Sequence, residues 1–449
     1  MSETIYALAS AQGKAGVAVI RISGPEALAT LQTLTQKPAF EPRIANLTRL
    51  FHPKSGEALD DALVLSFKAP ASFTGEDVAE LHIHGGLAVI DGMLEALSAC
   101  AGLRFAEAGE FTRRAFANGK LDLTQVEGLA DLIESETEAQ RKQALRQSEG
   151  ALGEIYDHWR HKLVACLAHF EAELDFSDEE IPDDLHNKVR LDVAHLQNQI
   201  RSHLKDARRG ERLRNGIRLA IIGPPNAGKS SLMNALAQRD AAIVSDIAGT
   251  TRDVVEVHLN LGGYPLLVAD TAGLRESTDE IEQEGVRRAE AWAQTADIKL
   301  VVLDGTEAPD FDPISLKLID DHTIVAINKA DVMKLPMPER IQGTPVLCLS
   351  VKTGQGLSAL LDQLTVRVKN LCRSSADGPA PTRARHREAL QRTEQALDRF
   401  LTRDHSSTMG SELEAEDLRL AARELGRITG RVDVEDLLDV IFRDFCIGK

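Results

Sequence analysis

The sequence predicts a chain of mixed α/β and α class, in which an α/β module is inserted into a discontinuous helical domain and preceded by a small α/β domain. Three observations carry this. Residues 1–118 alternate strand-like runs with helix-like stretches; a helical period sets in at Leu121 and returns after Arg383; and between them the apolar run IRLAII (217–222) leads directly into the glycine loop GPPNAGKS (223–230).

In chain order, GVAVIRIS (16–23), ALVLSF (62–67) and DVAELHIH (77–84) read as strands of the first domain, residues 1–118. Leu123, Val126, Leu129, Leu132 and Ile133 then recur at helical spacing, followed by Ile155, Trp159, Leu163, Leu167 and Phe170, which predicts long helices with one buried face. Pro182 in the acidic stretch 171–184 ends that pattern, and another helical segment runs to about Arg209. These helices form the first part of the helical domain, residues 119–216. The basic run KDARRGERLRNGIR (205–218) is expected to be a connector or hinge into the α/β module, residues 217–372, which RSSADGPAP (373–381) closes as a second linker. Residues 373–449, including LRLAARELGRI (418–428), supply the second helical part.

A chain of 449 residues exceeds one hydrophobic core, and 43% hydrophobic with 27% charged residues excludes wholesale disorder. Only 4% of residues are aromatic, with 2 Trp and 3 Tyr, so base-stacking platforms are not the expected mode of RNA contact. A net charge of -17 means that a nucleic-acid substrate would need a local basic patch or a partner that supplies one. Cys100, Cys166, Cys348, Cys372 and Cys446 show neither zinc spacing nor an even count, which predicts a reducing, cytoplasmic setting. Glu3 stands where a signal peptide would be basic, and no apolar run reaches membrane length, so no targeting segment and no membrane association are expected.

The glycine loop fits GxxxxGK[ST] between a strand and a helix, a context that a chance glycine turn lacks. Its residues Asn226, Ala227, Gly228, Lys229, Ser230 and Ser231 are candidate phosphate ligands: backbone N–H groups form an anion nest, Lys229 reaches the terminal phosphates and Ser230 ligates Mg²⁺. LLVADTAG (266–273) brings Asp270, Thr271, Ala272 and Gly273 to the γ-phosphate and the Mg²⁺ shell. In IVAINKAD (324–331), with Asn328, Lys329, Ala330 and Asp331, the Asp331 carboxylate can accept both adjacent donors of guanine, a pair that adenine lacks, which predicts GTP over ATP. Ser350, Val351 and Lys352 complete the base site, where a Ser-Ala-Lys run is usual; Val351 matters little because that contact is through backbone. SDIAGTTRD (245–253) offers Ser245, Asp246, Ile247, Ala248, Gly249, Thr250 and Thr251 to the nucleotide, with Thr251 as the Mg²⁺-sensing switch residue. The module is thus read as a P-loop GTPase. Leu274 occupies the position of the water-orienting Gln of Ras-type enzymes and cannot hydrogen-bond water, so one of Glu276, Asp279, Glu280 or Glu282 is a candidate for that role.

Asn226, SDIAGTTRD, DTAGLRE, FTGEDVAELHIHGG (73–86), GEFTRRAFANGKLDL (109–123) and the terminal CIGK (446–449) together resemble the MnmE/TrmE tRNA-modification GTPases over essentially the whole chain. The resemblance implies an enzyme that adds a carboxymethylaminomethyl or aminomethyl group at C5 of the wobble uridine of certain tRNAs. It would act as a homodimer joined through residues 1–118, in a heterotetramer with the flavoprotein MnmG, which carries the FAD. It implies a tetrahydrofolate derivative, 5-formyl- or 5,10-methylene-tetrahydrofolate, held by Arg21, Glu80, Lys120 and Lys449, of which sequence alone reads Glu80, on a strand, and Lys120, at a helix start, as surface charges. It also implies K⁺ bound by Asn226, Ser245, Ile247 and Thr250, and Glu282 as the catalytic residue that orients water.

Other features read more simply. His82 and His84 share a strand face without a third ligand and read as strand-end packing; DFSDEEIPDD (175–184) reads as a solvated loop; and Phe445 and Ile447 beside Cys446 predict a buried chain end. Two alternatives stay open at this point. One is a regulatory GTP switch in ribosome assembly, which would have no use for Arg21, Glu80 and Lys120; the other is a one-carbon enzyme of small-molecule metabolism.

Overall fold

Period-two alternation builds the first sheet. Its strands are β1 (Thr4–Leu8), β2 (Ala15–Ser23), β3 (Asn46–Phe51), β4 (Ala58–Phe67), β5 (Val78–Gly85) and β6 (Leu103–Phe105), in the order β3-β4-β5-β2-β1-β6. The computed structural model describes residues 3–175, 184–238, 256–270, 294–333, 336, 338–373, 378–403, 408–432, 438–439, 441–442, 445 and 448. Ile20, Ile22, Leu81 and Ile83 point to the face covered by α1 (Ala27–Thr35) and α2 (Leu87–Ser98), where Leu31, Leu34, Met93 and Leu97 close the core. Ile5 and Ala7 point the other way, onto Phe111 of α3 (Glu110–Ala117) and Phe73. Alternation therefore puts Arg21 and Glu80 on that second face, and the antiparallel register sets them directly opposite each other. α4 (Leu123–Ile133) packs Val126 against Phe442 and Phe445 of the chain end.

Contacts divide the chain into two compact units, residues 1–130 with 153–160 and 425–449, and residues 131–152 with 161–424. In the second unit the seven-stranded sheet has the order β12-β13-β11-β10-β7-β9-β8. β7 (Ile217–Ile222), β9 (Tyr264–Asp270), β10 (Ile298–Asp304), β11 (Thr323–Asn328) and β13 (Thr344–Cys348) are parallel; β8 (Glu256–Leu261) and β12 (Arg340–Ile341) run antiparallel at the edges. The near-continuous apolar runs of the central strands follow from burial on both faces: Leu219 and Ile221 face one core, Ala220 and Ile222 the other.

Helices frame this sheet in the chain: α5 (Glu138–Ser148), α6 (Ala151–Asp175), α7 (Asp184–Lys205) and α8 (Ala207–Asn215) before it, α9 (Lys229–Gln238) and α10 (Pro313–Lys317) between its strands, and α11 (Leu357–Cys372), α12 (Ala384–Thr402) and α13 (Thr408–Thr429) after it. α7 and α12 are joined by Arg201 to Glu394 at 2.6 Å and Gln197 to Asp398 at 3.1 Å, and Phe170 meets Phe400 at 5.7 Å. The α/β module is thus an insertion in a discontinuous helical domain. No described helix is long and apolar enough to cross a membrane.

The expected hinge at 205–218 is corrected: most of it is α8. Ala207, Gly210 and Leu213, three apart, bury one side of that helix, while Arg212 pairs with Asp297 at 2.7 Å and Arg214 with Asp131 at 2.8 Å. Abundant arginine hides this narrow apolar stripe in the sequence. Gly210 also lets the two connectors touch, since a Cβ there would lie 2.1 Å from the Pro381 carbonyl oxygen.

Candidate functional site

The carboxyl ends of β7, β9, β10 and β11 bring Gly223, Asp270, Asp304 and Asn328 to one edge of the sheet, and β7 is where the strand order reverses direction. After β7 the loop turns through Gly223 at φ 156°, where a Cβ would lie 2.1 Å from the Val302 carbonyl oxygen, and then through Asn226 at φ 62°. Asparagine tolerates that left-handed conformation, and here it leaves an exposed amide at the head of the loop. Lys229 opens α9 and folds back, its Nζ donating to the carbonyls of Gly223 and Pro224 at 2.8 Å each. Ser230 and Ser231 follow it in the first turn and are exposed.

Asn328, 4% exposed, ties the segments 328–331 and 350–352 to the glycine loop 223–230. Its Nδ2 donates to Ala227 O at 2.8 Å, and its Oδ1 accepts from the Val351 N–H at 3.1 Å. Position 351 thus meets Asn328 through its backbone N–H. Gly228 fits under this amide because a Cβ would come within 2.3 Å of Nδ2. Ser350 is buried, and its Oγ accepts from the Thr353 N–H. Ala330 N–H bonds to Leu349 O, Asp331 is exposed in the short turn 330–332, and Lys352 is exposed beside Val351. Lys329, at φ 63°, pairs with Asp304 at 2.5 Å. Burial pushes the Asp304 carboxyl up, but the bonds from Lys329 and Thr306 outweigh it and hold it below the usual range. Sequence reasoning missed Asp304; its signal was a lone carboxylate ending the apolar run IKLVVLD (298–304).

Asp270 closes β9, but its side chain lies outside the described residues. So do Ser245, Asp246, Ile247, Ala248, Gly249, Thr250 and Thr251, together with Thr271, Ala272, Gly273, Leu274, Glu276, Asp279, Glu280 and Glu282.

On the second face of the first sheet, Arg21 Nε bonds Glu80 Oε1 at 3.0 Å, with 21% and 17% of the two side chains accessible. The guanidinium lies 5.4 Å from the Phe73 ring and 5.8 Å from that of Phe111. Beside it Ser23 and Arg114 both donate to Glu76, at 2.8 and 2.9 Å, and Arg114 also binds Glu110. Burial pushes Glu110 up, yet Arg104, the Glu107 N–H and Arg114 bring it down to about 2. These partners went unnamed in the sequence because FTRRAF (111–116) shows two arginines without saying which one points inward. Lys120 instead donates to Pro70 O at 3.1 Å, at the start of the loop that carries Phe73. His82 meets Glu80 at 3.4 Å and His84 meets Asp60 at 2.7 Å, two separate carboxylates. Gly448 is buried against Leu8, whose neighbour Ala7 pairs with Arg21, so the chain end reaches the strands of this face. Phe445 is buried too, whereas Cys446, Ile447, Lys449 and the acidic residues 176–183 lie outside the described residues.

A family model described as the MnmE helical domain matches residues 123–446, and one described as the GTP-binding protein TrmE N-terminus matches residues 4–120. The chain is 56% identical over 449 residues to a tRNA modification GTPase MnmE of Paramagnetospirillum magneticum, covering all of both chains. It is 57% identical over 447 residues to a tRNA modification GTPase MnmE of Parvibaculum lavamentivorans, again covering all of both. A mitochondrial 5-taurinomethyluridine-[tRNA] synthase subunit GTPB3 of Danio rerio is 52% identical over 471 residues, covering all of this chain and 93% of that one.

Proposed function

The chain belongs to the MnmE family of tRNA modification GTPases, and from that premise we propose that it is a potassium-dependent GTP hydrolase that modifies C5 of the wobble uridine in certain tRNAs. It acts with a flavoprotein partner, MnmG, and a tetrahydrofolate one-carbon donor, as a homodimer within a heterotetramer. The observation that carries this reading is that one chain holds both a phosphate loop tied to a guanine-reading segment by Asn328 and, on a separate sheet, the Arg21–Glu80 pair over Phe73 and Phe111. A pure GTP switch has no use for the second.

Each group does work its chemistry allows. Backbone N–H groups of the glycine loop would bind phosphate oxygens, and Lys229 would leave the carbonyls of Gly223 and Pro224 to meet the terminal phosphates. Lys329, held by Asp304, sits next to Asp331, which accepts the two guanine donors. Ser230 and Thr251 are the residues to hold Mg²⁺, which supplies charge compensation on the phosphates. The exposed Asn226 amide, with Ser245, Ile247 and Thr250, is an oxygen donor set suited to K⁺. Glu282 orients the attacking water that Leu274 cannot. On the first sheet Glu80, held by Arg21, would accept from the pterin's amino and ring N–H groups, while Lys120 and Lys449 would offer cations to folate carboxylates. The domain limits that accompany this reading are 1–118, 119–216, 217–372 and 373–449.

Hydrolysis by the purified chain in KCl and in NaCl at equal ionic strength tests the ion dependence. K⁺ should accelerate turnover by about tenfold or more, because a cation of the radius that the Asn226 donor set suits would supply positive charge to the phosphates. Equal rates in both salts would contradict the potassium site and leave nucleotide binding untouched.

A further inference from the structure

β8 begins at Glu256, shortly after Thr251, and β9 ends at Asp270, so the two segments that read the γ-phosphate are the two ends of one hairpin. That hairpin is stiff. Its pairing runs in register from Glu256–Ala269 to Leu261–Tyr264, and Gly262 and Gly263, at φ 60° and 89°, close it in a two-residue turn of the kind that matches strand twist.

The far tip is docked. The Ala139 N–H, in the first turn of α5 where no intrahelical acceptor exists, donates to Gly263 O at 3.0 Å. His258 Nδ1, on the hairpin's edge strand, lies 3.0 Å from Glu136 Oε2, just ahead of the same helix. The start of α5 is held from a second side as well, by Gln140 Nε2 donating to Arg214 O at 3.1 Å, shortly before β7 and the phosphate loop. Beside the joint lies a cavity of about 360 Å³, lined in part by Glu138, Ala139, Gly262, Gly263 and Tyr264. A close-packed contact would resist displacement, whereas this space lets the tip shift against α5.

We propose that the β8–β9 hairpin is a strut that passes the nucleotide state to α5, with the Gly263–Ala139 hydrogen bond and the Glu136–His258 contact as its joint. This rests on the reading of the chain as a GTPase that drives tRNA modification, and it names a route by which hydrolysis reaches the rest of the molecule. Withdrawing the tip takes away the acceptor of a helix-end N–H, so α5 fraying follows the hairpin's position.

Hydrogen–deuterium exchange of the full chain, nucleotide-free and with GDP and aluminium fluoride in K⁺, tests it. Amides of 139–148 should change exchange rate by about tenfold between the two states. Glu136→Ala, and Ala139→Pro, which removes the N–H in a helical turn that tolerates proline, should abolish that difference. Both should keep basal hydrolysis within about twofold, while wobble-uridine product per GTP falls by about tenfold. Circular dichroism checks folding, and if Ala139→Pro does not fold, Glu136→Ala and the wild-type exchange decide. Wild-type α5 exchange indifferent to nucleotide overturns the strut, as do folded variants that keep the nucleotide response. An α5 response in a wild-type protein that modifies no tRNA upholds the strut and overturns the modification reading instead.

Discussion

Asn328 uses both ends of its amide inside the protein, and in the proposed guanine site Asp331, exposed at the rim, is the carboxylate that would read the base. Asp331→Asn should lower GTP affinity by about 100-fold and raise that for xanthosine triphosphate, because an amide can donate to the 2-oxo group that a carboxylate repels. Competition binding with the two nucleotides checks this, and an unchanged preference would remove Asp331 from the base site. At the other site, Arg21→Ala should cost about 1.5–3 kcal/mol of tetrahydrofolate affinity, the scale of a charge-assisted hydrogen bond. GTP hydrolysis should stay at the wild-type rate, since Arg21 and the phosphate loop belong to different compact units. Calorimetry and a phosphate-release assay on the same preparation separate the two effects.

At the scale of elements, what the sequence made legible was what periodicity and glycine spacing report. The runs at 16–23, 62–67, 77–84 and 217–222 are strands within a few residues of their expected limits. α8 was not legible, because its buried stripe of Ala207, Gly210 and Leu213 is made of small residues set among arginines. Nor was the Lys329–Asp304 pair, since the partners come from adjacent parallel strands 25 residues apart and pairing across a sheet leaves no local signal. α7 carries a further consequence. Burial pushes the His203 imidazole down to about 4, with His386 and Arg209 adding to the effect and Asp206 opposing it. The unfolded chain, titrating near the ordinary value of about 6.5, takes up the proton first, so stability is complete above that pH and falls as pH drops towards 4. The loss should be about 3 kcal/mol across that window, and denaturant unfolding at several pH values, with His203→Gln as the flat control, measures it.

For the whole molecule, two sheets with separate chemistries in one chain make sense if GTP turnover times a modification carried out elsewhere. The net charge of -17 limits how the RNA can be held. With so acidic a chain, tRNA affinity should come in large part from a more basic partner, and binding of tRNA to the isolated chain should be weak, with a shallow salt dependence that steepens when the partner is added. Modification of the wobble uridine is measured by nucleoside mass spectrometry of tRNA from a deletion strain and from the same strain complemented by the intact chain. The C5-substituted wobble uridines should disappear on deletion, with their unsubstituted counterparts accumulating, and complementation should restore them; an unchanged nucleoside profile in the deletion strain would exclude this chain from the modification.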